Sequence, residues 1–383
     1  MHVSDWRPYL LGLAALLLIA CAKPAAPAVS PATPPVAGAT SAPPAAPAAG
    51  APAAVPVGTA APAPAATASS APVAAPAPVH IKAVYTALSG STWPLWLAQD
   101  AGLLAKYGID AELEYVVSST TALQSLLSGE VAFIPTASAP SVVQAALGGG
   151  DAVIVGATNN TVVFSLMAAP DIQQYADLRG RRLGISRLGS SSDSAARSAL
   201  TKWGLKPDAD VTIVQMGGIP EILAGMQAGA VEAGVLSSPT DLRAEQAGFH
   251  QLADLGAIGI DYPQTAIATT RRYLQGNEDV ARRFLRATVE AVHLMKTDPA
   301  RAQTIFGKYT DTSDPEVLEA TYRAYVDKTD AVPYARPAAM QVAIDEVAQT
   351  DPRAATAKVE DFVDNHYVQE LEASGFIQQL YGR

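Results

Sequence analysis

Hydrophobic positions recur in two alternating patterns from residue 81 onwards. Short apolar runs typical of buried strands are followed by longer segments with apolar residues at helical spacing, many of them ending at a glycine. The short runs predict strands over 81–85, 111–116, 131–135, 152–156, 182–186, 211–215 and 231–236. The longer segments predict helices over 94–106, 121–128, 141–147, 194–203 and 220–228. This order predicts crossover connections, and therefore mostly parallel sheets covered on both faces.

The second series of strands and helices repeats the first. Residues 127–132 align with 227–232 at an offset of 100, and the same offset places Ser138 on Ser238. Each of these serines follows a predicted strand and precedes a helix. This repetition therefore predicts two similar α/β lobes.

The pattern changes after residue 260, where one strand over 265–270 is followed by a largely helical segment. The predicted helices span 277–297, 299–309, 315–328, 337–350 and 358–369. The expected division is lobe 1 over 80–168, lobe 2 over 169–260, and a part over 261–383 that returns to lobe 1 and adds C-terminal helices. Two crossings between the lobes predict a hinge.

The amino terminus has the pattern of an export signal. Residues 1–20 combine Arg7 with an apolar run of 12 residues, which suits a signal-peptide core and is shorter than the roughly 20 residues of a transmembrane helix. The run ends at Cys21, in the sequence Leu-Ile-Ala-Cys, which resembles a bacterial lipobox. We predict a signal peptide and a lipid anchor on Cys21 that attaches the chain to the bacterial envelope. An ordinary signal peptide with a free cysteine, or a buried hydrophobic helix, is the alternative.

Residues 21–79 have a low-complexity composition. After Cys21 the segment consists almost entirely of Ala, Pro, Val, Ser, Thr and Gly, and Lys23 is its one charged residue. Such a segment cannot bury enough apolar surface to offset its chain entropy, and its prolines interrupt every helical window. We predict a disordered tether.

Composition narrows the function classes. The chain has 383 residues, with 26 Lys and Arg against 36 Asp and Glu, so its net charge is −10. This balance disfavours nucleic acid as a partner, because binding it requires a basic face. One cysteine excludes an internal disulfide framework, and five histidines with no pair at ligand spacing indicate no metal site. No cofactor is expected.

Polar loops follow the predicted strands at the edge where open parallel sheets bind ligands. Helix amino ends at this edge offer unpaired N–H groups and a positive dipole, which favour an anion. The candidate ligand-binding residues are Ser89, Gly90, Ser91, Thr92, Trp96, Ser138, Asn159, Arg187, Gly189, Ser190, Ser191, Ser192, Ser237 and Ser238. Helix capping is the alternative role for the hydroxyls. Core packing is the alternative for Trp96, and an ion pair with Asp193 is the alternative for Arg187.

Several segments resemble the nitrate/sulfonate/taurine type of solute-binding proteins. They are 94–110, 127–133, 177–184, 262–263 and 282–287. The resemblance implies a two-lobed α/β fold of the periplasmic-binding-protein type 2, with mostly parallel sheets, a hinge between the lobes and a helical C-terminal part. It also implies an extracytoplasmic protein that captures a small polar, anionic solute for an ABC permease and its ATPase.

The resemblance places ligand contacts in the loops 89–92 and 189–192, at Ser138 and at 237–238. Family members often have Gly-Asp or Trp-Asp where this chain has Ala-Ser and Ser-Ser, so a relative's solute does not transfer directly to this chain.

Two alternatives come from other classes. A ligand-sensing lipoprotein that partners a membrane receptor would need the same closing cleft. An enzyme of the thiamine-pyrimidine synthase type is cytoplasmic and carries a cysteine-rich loop. This chain has a predicted export signal and no cysteine beyond Cys21, so we expect no enzyme.

Overall fold

The computed structural model describes residues 78–117, 119–258 and 261–382. The predicted signal peptide, Cys21 and nearly all of the predicted tether lie outside the described residues. Among the described residues, no helix is both long and apolar enough to cross a membrane.

Strands and helices alternate through the first two thirds of the described chain. The first series is β1 (Val79–Tyr85), α1 (Trp93–Asp100), α2 (Leu103–Lys106), β2 (Ile109–Tyr115), α3 (Ser119–Ser128), β3 (Ile134–Ala137), α4 (Ala139–Leu147) and β4 (Ala152–Thr161). The second is β5 (Ser165–Ala168), β6 (Arg182–Ile185), α5 (Ser191–Lys202), β7 (Thr212–Gln215), α6 (Ile219–Gln227), β8 (Ala233–Leu236), α7 (Thr240–Gln246) and β9 (His250–Asp254). The last part is β10 (Asp261–Thr270), α8 (Arg271–Thr297), α9 (Pro299–Thr310), α10 (Pro315–Val326), α11 (Pro337–Ala348), α12 (His366–Ala373) and α13 (Phe376–Tyr381).

The strands form two sheets with the same order and directions. In lobe 1, β1 pairs in parallel with β2, and a parallel bridge between Ala83 and Phe133 joins this pair to the end of the order β3-β10-β4. In lobe 2, the order is β7-β6-β8-β5-β9. Each sheet has one antiparallel strand, β10 in lobe 1 and β5 in lobe 2. The predicted two-lobed α/β fold with mostly parallel sheets is confirmed.

Each lobe has its own apolar core. In lobe 1, the helix α8 packs on the sheet, and Phe133 stacks on Phe284 with ring centroids 4.5 Å apart. The lobe 2 core is aliphatic and includes Leu183, Ile185 and Val235, all fully buried. The C-terminal helices pack on lobe 1, where α11 contacts α4 and β10.

Several details differ from the sequence-based expectation, which also lacked the strands β5 and β9. Gly102 adopts φ +75°, so the helix predicted over 94–106 is divided into α1 and α2. β4 continues to Thr161 through residues that were expected to form a loop. The segment predicted as a helix over 358–369 is a 3-10 turn, Val359–Asp361, followed by α12.

The first crossing between the lobes also comes earlier than expected. It was predicted near 168–171, but Ser165–Ala168 forms β5, which hydrogen bonds to β8 and β9 of lobe 2. Residues 162–164 therefore carry the crossing. This stretch and β5 are almost continuously apolar, so the hydrophobic pattern contains no signal that separates them.

Candidate functional site

A cavity of about 40 Å³ lies between the two lobes at the ends of their strands. Its lining residues are Thr86, Ala87, Ser89, Ser91, Val117, Ser119, Thr136, Phe164, Ser186, Ser190, Ser191, Ser192, Ile219 and Gln264. On the same measure one water needs ~10–15 Å³, so the cavity has room for about three waters. Such a space suits a very small solute.

Hydroxyl groups are linked on the lobe 1 side of the cavity. The Thr86 backbone N–H donates to Oγ1 of Thr136 at 2.8 Å, and Oγ1 of Thr86 donates to the Thr136 carbonyl at 2.9 Å. Oγ of Ser119 lies 3.4 Å from Oγ1 of Thr86. These bonds fix the positions of three hydroxyl oxygens.

Three serine hydroxyls form a matching cluster on the lobe 2 side. Oγ of Ser186 lies 2.8 Å from Oγ of Ser190 and 2.9 Å from Oγ of Ser192. The Ser190 hydroxyl does not cap α5, even though it occupies the N-cap position. The capping alternative therefore does not hold for Ser190. The Ser190 hydroxyl donates its proton to the Arg187 carbonyl at 2.6 Å, so the hydroxyls of Ser186 and Ser192 are the ones that can turn their protons toward a ligand.

Four helices begin at the lining of the cavity. Ser91 lies in the 3-10 turn Gly90–Thr92 that leads into α1, and Ser119, Ser191 and Ile219 are the first residues of α3, α5 and α6. The first-turn N–H groups of a helix have no intrahelical acceptor, and the dipole adds a partial positive charge. All the described lining residues are uncharged. The arrangement therefore offers N–H and O–H donors to an anion without an ion pair.

Direct hydrogen bonds hold the lobes together across this cleft. The Gly189 carbonyl of lobe 2 accepts from Oγ of Ser141 at 2.5 Å and from Oγ of Ser138 at 3.1 Å, both of lobe 1. The Gly90 N–H donates to the Ser238 carbonyl at 3.4 Å. The cleft is therefore closed around the cavity.

Gln264, on the returning strand β10, is the lining residue that the sequence pattern did not indicate. Its side chain is 5% exposed, and its Oε1 has no hydrogen-bond partner among the described residues. A buried amide oxygen without a partner is costly, and only a group that donates a hydrogen bond could satisfy it. The sequence pattern could not reveal Gln264, because β10 approaches the cavity only in the folded chain.

Four further lining residues were missed although the strand-end rule points to them. Thr86 directly follows β1, and Ser186 directly follows β6. Thr136 lies near the end of β3, and Ser119 is the first residue of α3. The prediction concentrated on the glycine- and serine-rich loops, which begin about three residues beyond Thr86 and Ser186. Applying the rule to the first residue after the predicted strand 81–85 would have found Thr86, whereas Ser186 was placed inside the predicted strand 182–186.

The structure distributes the predicted site residues unevenly. Five of them line the cavity: Ser89, Ser91, Ser190, Ser191 and Ser192. Gly90 and Thr92 are buried in the same turn as Ser91, and Ser138 and Gly189 form the bond across the cleft. Ser237 and Ser238 are buried after β8, where Oγ of Ser238 donates to Oδ1 of Asp241 at 2.7 Å.

Trp96, Asn159 and Arg187 do not line the cavity. Trp96 is fully buried and stacks on Tyr309 with ring centroids 4.9 Å apart, so it has the core-packing role that was its alternative in the sequence. Asn159 lies within β4, and its amide donates to the Lys328 carbonyl at 2.9 Å. The Arg187 side chain is exposed. Asn159 was misplaced because an Asn-Asn pair is typical of turns, and here both amides bind the C-terminal segment instead.

A second polar cluster connects lobe 2 to helix α11 outside the cavity. Oγ of Ser194 donates to Oε1 of Glu346 at 2.6 Å, and Oε2 of Glu346 is buried without a partner among the described residues. Burial, aided by the Asp193 charge, raises the pKa of Glu346 to about 7, although the Ser194 hydrogen bond and the Arg197 charge lower it. Burial also raises the pKa of Asp193, which is paired with Arg197 at 2.7 Å. An ion pair with Arg187 was one of two alternatives for Asp193; the structure pairs Asp193 with Arg197 instead.

Metal-ligating side chains do not cluster in the described part of the chain, where no three His, Cys, Asp or Glu residues group at metal-binding distance.

The sequence matches the family model described as NMT1/THI5 like over residues 90–302, more than half of the chain. The chain belongs to this family. YtlA of Bacillus subtilis, named provisionally as a binding protein, is 26% identical over 239 residues, which cover 61% of this chain and 71% of YtlA. A Brucella abortus protein, also named provisionally as a binding protein, is 32% identical over 122 residues, 31% of this chain and 36% of the relative.

Solved structures of similar shape support the fold assignment of this NMT1/THI5-like chain. The alkanesulfonate-binding protein SsuA from Xanthomonas axonopodis, bound to MOPS, has a TM-score of 0.64 at 19% identity, and the match covers 75% of this chain and 99% of SsuA. The periplasmic nitrate-binding protein NrtA from Synechocystis has a TM-score of 0.62 at 15% identity over 77% of this chain and 89% of NrtA. At such identities the likeness shows the periplasmic-binding-protein fold alone, and the fold expected from the sequence is confirmed.

Proposed function

We propose that this chain is an extracytoplasmic solute-binding lipoprotein that captures a small oxyanion for an ABC importer. The observation that carries the proposal is the closed cleft, in which hydroxyl groups and the amino ends of four helices surround a cavity of about 40 Å³. If the contact between the lobes served stability alone, an apolar interface, or one in which every polar group is hydrogen bonded, would stabilise the protein more.

The solute class follows from the lining of the cavity. Donors come from serine and threonine hydroxyls and from helix N–H groups, and all the described lining side chains are uncharged. Each charge-assisted hydrogen bond contributes about 1.5–3 kcal/mol, so two or three of them favour closure over an open form that differs by a few kcal/mol. A small monoanion fits this balance, because its single charge can be spread over several neutral donors.

The transport role rests on the family and the fold together. Relatives of the family are named as binding proteins, and SsuA and NrtA are named for alkanesulfonate and nitrate binding. The predicted lipid anchor on Cys21 and the tether over 21–79 would hold the binding lobes at the outer face of a membrane, next to a permease and its ATPase.

A ligand screen on the full chain tests the proposal. Nitrate, methanesulfonate, taurine, formate and a neutral pyrimidine are compared by thermal shift, and a hit at about 100 times its dissociation constant should stabilise the protein by ~2.7 kcal/mol. Ser191→Val should weaken the hit at least tenfold, because Ser191 lines the cavity at the first turn of α5.

The matched control makes the same change at Ser198, about 10 Å further along α5. Ser198→Val should leave the affinity unchanged. A neutral compound that binds while every anion fails, or a hit that is insensitive to Ser191→Val, would overturn the proposal.

A further inference from the structure

Tyr325, on the C-terminal helix α10, lies behind the serine turn of the cavity. Its side chain is 1% exposed, and its ring packs directly on Gly90, where an added Cβ would overlap the ring. Gly90 belongs to the 3-10 turn that carries Ser91 into the cavity lining. This contact fixes the turn against α10, which lies beyond the segment matched by the family model.

The Tyr325 hydroxyl is buried and has no hydrogen-bond partner among the described residues. Oγ of Ser237, in lobe 2, is likewise buried without a described partner. Burial raises the pKa of Tyr325 to about 12, while the neighbouring hydroxyls of Ser89, Ser91 and Ser237 lower it. The Tyr325 hydroxyl is therefore a hydrogen-bond donor without a described acceptor, next to three serine hydroxyls. It lies close to the place where the Gly90 N–H of lobe 1 donates to the Ser238 carbonyl of lobe 2.

A serine hydroxyl has one proton and two lone pairs. If Ser89 or Ser91 donates its proton to an anion in the cavity, the lone pairs of its oxygen stay free to accept a hydrogen bond from the Tyr325 hydroxyl. Chains of hydrogen bonds that end on a charge strengthen one another. The otherwise costly hydroxyl would then gain a partner only in the loaded, closed protein.

We infer that Tyr325 is a positioning residue of the cleft, whose hydroxyl donates to the serines of the 89–91 turn when these donate to a bound oxyanion. The inference rests on the proposed function, since it assumes an oxyanion in the cavity. It assigns to the C-terminal helices a part in solute affinity that the two repeated lobes do not supply.

The test compares Tyr325→Phe with Tyr322→Phe in the full chain. Tyr322 lies on the same helix, and its hydroxyl donates to the Met295 carbonyl at 3.0 Å. Without solute, Tyr325→Phe should leave Tm unchanged or raise it, because it removes a buried hydroxyl that has no partner. Tyr322→Phe should lower Tm by about 2–4 °C, because it breaks a made bond.

Binding of nitrate and methanesulfonate, measured by isothermal titration calorimetry, should show the reverse order. Tyr325→Phe should weaken the tighter of the two about tenfold, and Tyr322→Phe should leave its affinity unchanged. A fall in the solute-free Tm of Tyr325→Phe as large as that of Tyr322→Phe, or an unchanged affinity in Tyr325→Phe, would overturn the inference while the proposed function stands. If neither anion binds the wild-type chain, the oxyanion proposal fails and the inference fails with it.

Discussion

The buried carboxyl of Glu346 makes the stability of the folded chain dependent on pH. Burial is the largest cause that raises its pKa to about 7 from the usual 4.5, and the Ser194 hydrogen bond and the Arg197 charge only partly offset it. One pKa unit corresponds to about 1.4 kcal/mol, so ionising Glu346 costs about 3 kcal/mol more in the folded chain than in the unfolded chain.

The sign follows from proton binding. Between pH 4.5 and 7 the folded chain keeps the proton of Glu346 and the unfolded chain loses it, so the free energy of unfolding falls as pH rises through this window and levels off above it. Glu346→Gln keeps the shape and can still accept the Ser194 hydrogen bond, but it cannot ionise. Relative to this variant, the wild-type chain should lose about 2–3 kcal/mol of stability between pH 5 and pH 8.

Urea unfolding followed by tryptophan fluorescence at pH 5, 6, 7 and 8 measures this difference. Asp345→Asn, at an exposed position of the same helix, controls for the loss of one negative charge. Acids far from Glu346 contribute equally to both curves and cancel in the comparison, whereas Asp193 is electrostatically coupled to Glu346 and does not. If the wild-type and Glu346→Gln curves stay parallel across this range, Glu346 is not a buried acid and the reasoning is wrong.

Four further predictions follow from the cleft and the amino terminus. Ser141→Ala removes the shorter bond to the Gly189 carbonyl, worth about 1 kcal/mol, and should weaken a hit from the ligand screen about fivefold by calorimetry, whereas Ser128→Ala at an exposed position should not. Gln264→Met removes the unpartnered amide oxygen, so it should raise the Tm of the solute-free chain. Cys21→Ala should abolish incorporation of labelled palmitate; equal incorporation would disprove the anchor. Limited proteolysis should leave a stable core that begins near residue 78, and equal protection of 21–79 would contradict the tether.

The fold could be predicted because α/β alternation depends on short-range patterns. Strands and helices leave apolar periods of 2 and 3.6 residues, and glycines such as Gly129 and Gly229 end helices at matching places. What the pattern could not show is pairing between distant segments. The antiparallel insertion of β10 between β3 and β4 joins residues more than 100 positions apart, and no local signal records it.

The site was predicted only where it depends on the strand-end rule. That rule found Ser89, Ser91 and the serines 190–192, because these loops follow strands in sequence. It failed for Gln264 and Tyr325, which reach the cleft from the hinge strand and from a C-terminal helix. The rule also placed Arg187 in the site, but the Arg187 side chain is exposed. The position of a residue in a loop does not determine whether its side chain points to the cavity or to solvent.

The repeat supplies both sets of uncharged donors on which the proposed anion site depends. Thr86 follows β1 and Ser186 follows β6, the equivalent strand of lobe 2, and Ser91 and Ser191 lie at the start of the helix that comes next, at the same offset of 100. Closing the lobes therefore brings two equivalent sets of hydroxyls and helix ends to opposite sides of one point. A solute too large for the 40 Å³ cavity would hold Ser138 and Ser141 away from the Gly189 carbonyl. Losing those two bonds costs about 1 kcal/mol each, which would weaken the affinity for the larger solute roughly tenfold to thirtyfold. This selection by size comes from closure of the lobes and not from contact with the solute.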